Sequence, residues 1–284
     1  MRLSRLKFLA GGVLGVAFGV ATAHWVGSAI SWRMYLLAQV TVTSLQLMTH
    51  YSNDYFDRST DAISMRTPFS GGSGVLVTGE LTPRIALVSA IVCAVIGIIA
   101  SIGFYVRENG IAAELGILLA ILAWSYSSPP LRLLASGFGE VDTALVVGML
   151  VPMLGYTAQT STWDWRVLLW SLPAGCAMFA MMICVQIPDY VADGATGKRN
   201  LLVRFGLARA PALIVGAGLA CMLTALVALN NGAPLRFLWL LPIGVCIAAI
   251  GVFIGRLNPP PAQSAFAGVA LFVLTQIVSL AALA

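Results

Sequence analysis

Apolar residues in this chain come in runs of about twenty, and that length governs what it can fold into. A helix rises about 1.5 Å per residue, so about 20 apolar residues cross the roughly 30 Å hydrocarbon layer of a bilayer. Such runs lie near 8–27, 34–55, 83–106, 111–127, 141–158, 167–187, 210–229, 237–254 and 264–283. In hydrocarbon each backbone polar group must pair within its own segment, so each run is expected to be a helix. The expectation is an all-α, integral membrane bundle of nine transmembrane helices, forming one domain over residues 1–284.

Composition agrees. Of the 284 residues 59% are hydrophobic and 10% charged, against about 25% charged in an ordinary soluble domain. So few charges could not keep a chain of this size dispersed in water. The first run follows Arg2, Arg5 and Lys7 and contains Ala21-Thr22-Ala23, features shared with secretory signals. It is long enough to span and leads at once into another apolar run, so it is read as a retained helix.

The net charge of +5 would suggest a nucleic-acid partner in a soluble chain. Here the basic residues are scattered between apolar runs, as orientation signals are, and no nucleic-acid partner is expected. With the N-terminus inside, the inner loops hold Arg2, Arg5, Lys7, Arg58, Arg66, Arg84, Arg132, Lys198, Arg199, Arg204, Arg209 and Arg256. The outer loops hold only Arg33, Arg107, Arg166 and Arg236. That bias predicts a cytoplasmic N-terminus in a bacterial inner membrane, with both long polar loops, 56–82 and 188–209, on the cytoplasmic face. The five cysteines, Cys93, Cys176, Cys184, Cys221 and Cys246, include no CxxC pair and read as small apolar residues.

Five of the eleven acids fall in two short places: Asp54, Asp57 and Asp61 after the second run, and Asp189 and Asp193 after the sixth. Asn53, Asp57 and Asp61 step by four, and Gln186, Asp189 and Asp193 step by three and four. Each series therefore forms a stack on one face of a helix leaving the membrane. Like charges at that spacing repel, so two stacks at matched helix ends call for a cation. Magnesium, a hard ion that binds carboxylate oxygens and shares itself with substrate phosphates, suits them. The plainer alternative is solvated acids paired with Arg58 or Arg66. Each stack is followed by basic and glycine residues, Arg66 to Gly74 and Gly194 to Arg199. Together they suggest a clamp for a diphosphate, in which cations neutralise oxygens and glycines admit backbone amides.

At these residues the sequence resembles the UbiA superfamily of intramembrane prenyltransferases. Asn53-Asp54-Tyr55-Phe56-Asp57 with Asp61 resembles its NDxxDxxxD motif. Asp189-Tyr190-Val191-Ala192-Asp193, followed by Gly197-Lys198-Arg199-Asn200-Leu201, resembles its DxxxD motif and GKRTL-like tail. Tyr126-Ser127-Ser128-Pro129-Pro130-Leu131 looks like the YSxPP segment, and Gly137-Phe138-Gly139-Glu140 like the GxGE of the menaquinone-making branch. The resemblance implies transfer of a polyprenyl group from its diphosphate to an acceptor, usually aromatic, inside a lipid-open bundle. It implies that Asn53, Asp57, Asp61, Asp189 and Asp193 hold Mg2+, and that Arg66, Lys198, Arg199 and Tyr126 join Asn53 in binding the diphosphate. Asp57, Asp61, Asp189 and Asp193 would be the catalytic acids. Two departures bear on the acceptor: Gln186-Ile187-Pro188 replaces an Asn-rich run, and the N-terminal Arg-Pro element is reduced to Arg5-Leu6-Lys7-Phe8.

His50 shares the helical face of the first stack and is a candidate for orienting an acceptor, or a structural histidine. Tyr126 could polarise a phosphate, stack on an allylic cation or anchor a helix at the interface. Glu140 and Asp142 open the fifth run, where acids favour the helix dipole without further role. His24 and Trp25, Trp32, Trp163, Trp165 and Trp170 read as an interfacial belt.

The expected function is Mg-dependent polyprenyl transfer to 1,4-dihydroxy-2-naphthoate in quinone biosynthesis, with membrane lipid around the bundle and no obligatory protein partner. Alternative acceptors are 4-hydroxybenzoate, a porphyrin, or a sugar or glycerol phosphate. The rival of another class is a cation or solute transporter, which would be expected to show related halves and polar groups near the bilayer midplane.

Overall fold

A computed structural model describes residues 2–284. The chain is all-helical, and no strand occurs among the described residues. The principal helices among the described residues are α1 (Ala10–Trp25), α2 (Trp32–Asp61), α3 (Pro83–Gly103), α4 (Gly110–Ser125), α5 (Gly139–Thr160), α6 (Trp165–Gln186), α7 (Ala210–Asn230), α8 (Leu240–Leu257) and α9 (Pro261–Leu283). Each coincides with one of the apolar runs. Seven are long and apolar enough to cross a membrane, α1 when the turn before it from Leu6 is included; α2 and α4 are the other two. α4 is short at 16 residues, while α2 extends to 30 because it carries the first acidic stack beyond its apolar part.

Local chemistry sets the ends. Ser31 caps α2 by accepting from the Met34 amide, Asn109 caps α4 through the Ala112 amide, and Asp164 caps α6 through the Arg166 amide. Proline opens α3 and α9, where its missing amide costs nothing. α5 widens into a π turn over Val146–Leu150, directly before Pro152, whose ring nitrogen cannot return a hydrogen bond to Gly148.

The helices pack as two groups. One joins α1 to α5 around Val16, Met48, Leu119 and Leu154; the other joins α6 to α9 around Trp170, Ile183, Ile214 and Phe272. α1 touches α2, α5 and α9 and so links the groups. The exterior is apolar: along α3, Val88, Ile91, Val95 and Ile99 are all exposed, a surface suited to lipid and costly in water. Trp25, Trp32, Trp163 and Trp165 are exposed as expected of a belt. Trp170 is not; it is buried against Phe237 with its indole N–H donating to the Asn231 carbonyl.

The tightest helix contact is α1 on α5. A side chain at Gly19 would run into the Pro152 carbonyl and stand 2.7 Å from the Tyr156 nitrogen, while one at Gly155 would meet the Val16 carbonyl. Backbone cannot yield as a flexible side chain does, so Gly19→Val is expected to destabilise the bundle by about 1–3 kcal/mol. A lowered thermal midpoint in detergent, beside an unchanged Gly216→Ala control whose surroundings are open, checks this.

Candidate functional site

Both acidic stacks and their following loops meet at one end of the bundle. The last two turns of α2 hold the first. Asn53 Nδ2 donates to Asp57 Oδ2 at 2.7 Å and to Ser127 Oγ at 3.1 Å, tying the stack to the loop after α4. Asp54 points to the other side of α2, where it pairs with Arg5 and accepts from the Ser73 hydroxyl and amide. Asp57 is buried and Asp61 half-buried.

The second stack departs from a continuous helix. α6 ends at Gln186, because Pro188 has no amide to extend it, and the short helix Tyr190–Ala195 begins afresh with Asp189 as its N-cap residue. Asp193 lies one turn further on, its amide 2.8 Å from the Asp189 carbonyl. Gln186 is buried with neither amide atom partnered among the described residues.

Lys198 joins the stacks. Its ammonium lies 2.9 Å from Asp57 Oδ2 and 3.2 Å from Asp193 Oδ1, and all three residues are buried. Thr60 and Thr196 touch through their hydroxyls at 2.9 Å beside it. Asn200 Nδ2 donates to Asp193 Oδ2 at 2.7 Å while its carbonyl oxygen caps the short helix Leu201–Phe205. Burial raises the Asp193 carboxyl, with the Lys198 ammonium opposing the rise without cancelling it. Burial likewise pulls the ammonium down, but Asp57 and Asp193 more than offset it and hold Lys198 above its usual value.

The glycine loop closes over this pair. The Gly71 amide donates to Asp189 Oδ2 at 3.2 Å, whereas Asp189 Oδ1 is buried without a partner. Burial and then the Asp193 charge push Asp189 up to about 6. Gly72 has φ +66°, and a side chain there would collide with the Asp61 carboxylate; only glycine permits both the turn and the approach. The alternative of acids neutralised by Arg58 or Arg66 is not what the structure contains. Arg58 donates to the Tyr55 carbonyl and Arg66 to the Gly74 carbonyl, and both are exposed. Arg199 is exposed as well, with its backbone bound to the Ala135 carbonyl.

Below this polar end runs a cavity of about 200 Å³. Asn53, His50, Tyr126 and Asp142 line its polar part, with Arg5 and Lys7 of the N-terminal segment at the rim. Val42, Leu45, Val151, Met178, Met182 and Phe272 line its apolar depth. His50 Nδ1 stands 2.9 Å from the Ser4 carbonyl, which makes Nδ1 the protonated nitrogen. Tyr126 is half-buried in the wall, as a cavity residue rather than an interfacial anchor.

Several participants are not evident from spacing. Glu140 accepts from the Leu201 amide at 2.9 Å and so fixes the segment carrying Lys198 and Asn200; Asp142 faces the cavity. Both exceed the helix-dipole role their positions suggest. Arg5 and Ser73 reach Asp54 from distant segments. Glu140 and Arg5 lie in motif segments noted in the sequence, and Asn200 left a local signal, an Asn before a short apolar run, which is an N-cap pattern.

A buried cluster of carboxylates and ammonium thus stands at the head of an apolar cavity, inside a helical bundle with an apolar exterior. The chain belongs to the UbiA prenyltransferase family, whose model matches residues 13–275, and it is an integral membrane protein of that family.

Among named relatives, it is 30% identical over 208 residues to the 1,4-dihydroxy-2-naphthoate octaprenyltransferase of Mycobacterium leprae, covering 72% of this chain and 68% of that one. It is 26% identical over 193 residues to the 2-carboxy-1,4-naphthoquinone phytyltransferase of Synechocystis sp., covering 67% of this chain and 59% of that one. The fold matches a UbiA homolog from Archaeoglobus fulgidus bound to DMAPP and Mg2+, with TM-score 0.69 and 17% identity over 99% of this chain and 98% of that one. It also matches a UbiA homolog from Aeropyrum pernix K1, with TM-score 0.74 and 15% identity over 95% and 96% of the two chains.

Asn200 carries two contacts at once, so Asn200→Ala removes a helix cap and a donor to a buried carboxylate. A loss of about 1–2 kcal/mol is expected. Thermal unfolding of wild type and variant in the same detergent measures it.

Proposed function

We propose that this enzyme transfers a polyprenyl group from its diphosphate to an aromatic acceptor, with 1,4-dihydroxy-2-naphthoate as acceptor and menaquinone biosynthesis as its setting. The observation that carries the reading is the meeting of both acidic stacks at Lys198, at the head of an apolar cavity. The relatives named for naphthoate substrates support the choice of acceptor.

Among the described residues no three acidic, histidine or cysteine side chains converge as a ready-made metal cage. The donor chemistry nevertheless fits Mg2+: the groups are hard carboxylate oxygens, and the buried Asp189 Oδ1 lacks any partner. Asn53, Asp57, Asp61, Asp189 and Asp193 would hold it, and when bound it would supply positive charge to the leaving diphosphate.

The chain's own residues do the rest. Lys198 exchanges one carboxylate for a diphosphate oxygen, and Arg66 and Arg199 swing in from their exposed positions to the remaining oxygens. Asn53 and Tyr126 border the passage from diphosphate to cavity, the ring face of Tyr126 suiting an allylic cation. The valine and methionine walls take the prenyl chain and keep water from the cation. All nine helices cross the membrane as a single domain, with the N-terminus and both acidic loops on the cytoplasmic side of a bacterial inner membrane.

Asp57→Asn and Asp193→Asn should each fold and yet lose at least about a hundredfold in turnover, the scale seen when one preorganised charge is removed from a reacting centre. The assay is purified protein in detergent with Mg2+, a polyprenyl diphosphate and 1,4-dihydroxy-2-naphthoate, scored for prenylated product by mass. Full activity in both variants would overturn the mechanism.

A further inference from the structure

Apart from the Tyr126 hydroxyl, most of the cavity's polar side chains are committed. Asn53 Nδ2 serves Asp57 and Ser127, and the His50 ring N–H serves the Ser4 carbonyl. Arg5 is paired with Asp54 through its terminal nitrogen, its Nε being buried without a partner among the described residues, and Lys7 donates to the Pro68 carbonyl. Thr143 donates to the Gly139 carbonyl at 2.9 Å. Gln46 Oε1 lacks a partner but is sealed against Gly12 of α1.

Asp142 differs from all of these. Its side chain lines the cavity, the residue is only 8% exposed, and its carboxyl has no hydrogen bond or ion pair among the described residues. A carboxyl with so little exposure costs stability unless water or a ligand in the cavity reaches it. Its place on α5 says what ligand that is. Asp142 sits in the first turn, at the end of the bundle that carries the acidic stacks, and Val146, Val147 and Val151 line the cavity further along the same helix. A prenyl chain lying against those valines has no donor to offer, and the oxygens of an ionised diphosphate only accept. Of the two proposed substrates, the acceptor is the one that brings an O–H donor.

We infer that Asp142 receives a ring hydroxyl of the aromatic acceptor and thereby sets its orientation and selection. The inference rests on the proposed prenyl transfer and deepens it: an aromatic alcohol presents an O–H donor, and an acceptor without one leaves the carboxyl unpaired. Discrimination by a site built to pair one hydroxyl far exceeds what an apolar wall achieves.

The test is steady-state kinetics of the full chain in detergent with Mg2+ and a polyprenyl diphosphate. The acceptors are 1,4-dihydroxy-2-naphthoate and its two monomethyl ethers. In Asp142→Leu the acceptor KM should rise tenfold or more, while the KM for the diphosphate stays within twofold, which also reports a folded protein. Wild type should disfavour one of the ethers by at least tenfold, and the variant should treat that ether and the parent within threefold of each other. Asp142→Asn, close to isosteric, should raise the acceptor KM severalfold without a shift in thermal midpoint, and it carries the test if the leucine variant does not fold. Unchanged acceptor KM with retained ether discrimination overturns the assignment alone. No prenylated product from wild type overturns the proposed function, and the assignment with it.

Discussion

One ammonium between two buried carboxylates holds the polar end of this bundle together. Lys198 spans 141 residues of sequence to reach Asp57, and the same nitrogen meets Asp193. Without a cation there, two carboxylates would face each other in a poorly solvated pocket, and breaking a buried pair by removing one partner costs about 3–5 kcal/mol. The neighbouring structure serves that contact. Asn200 steadies Asp193 from one side, Asn53 steadies Asp57 from the other, and Glu140 holds the Leu201 amide so that the Lys198 segment keeps its place. The arrangement fixes the distance between α2 and the segment after α6, elements that belong to different packing groups. It is therefore an electrostatic link across a bundle whose apolar contacts alone leave a cavity between its halves.

The helices were legible because membrane insertion imposes a length and a polarity that a sequence displays directly. Each apolar run became a helix, and the four-residue steps of Asn53, Asp57 and Asp61 put them on one face of α2 as geometry requires. The second stack was read less well. Its spacing alone suggests an unbroken helix through Asp193, whereas Pro188 ends α6 and makes Asp189 a cap residue. Trp170 shows the same limit from the other side: as a tryptophan near a helix start it resembles the interfacial set, yet it packs in the core on Phe237. Tertiary partners decided both. The clustering of acids was visible in the sequence; which cation meets them was not. Arg66 and Arg199 are as close in sequence as Lys198, but only Lys198 is buried between the stacks.

Some of the buried polar atoms left without partners among the described residues gather near the second acidic motif, while others, such as those of Gln39, Ser264 and Gln276, lie elsewhere in the bundle. Asp189 Oδ1, Glu140 Oε2 and both amide atoms of Gln186 are buried and unpaired, and all belong to elements that frame the second acidic motif. Buried polar atoms in a folded protein are nearly always satisfied, because each orphan costs about 1–3 kcal/mol. In a membrane protein water is scarcer and the cost is not smaller. A chain shaped by stability alone would have replaced these side chains with apolar ones of similar size. It has instead kept these oxygens and amides on elements next to the lysine shared between two acids. In the proposed function these atoms would meet a ligand rich in charge and oxygen, with the cavity beneath for its apolar remainder.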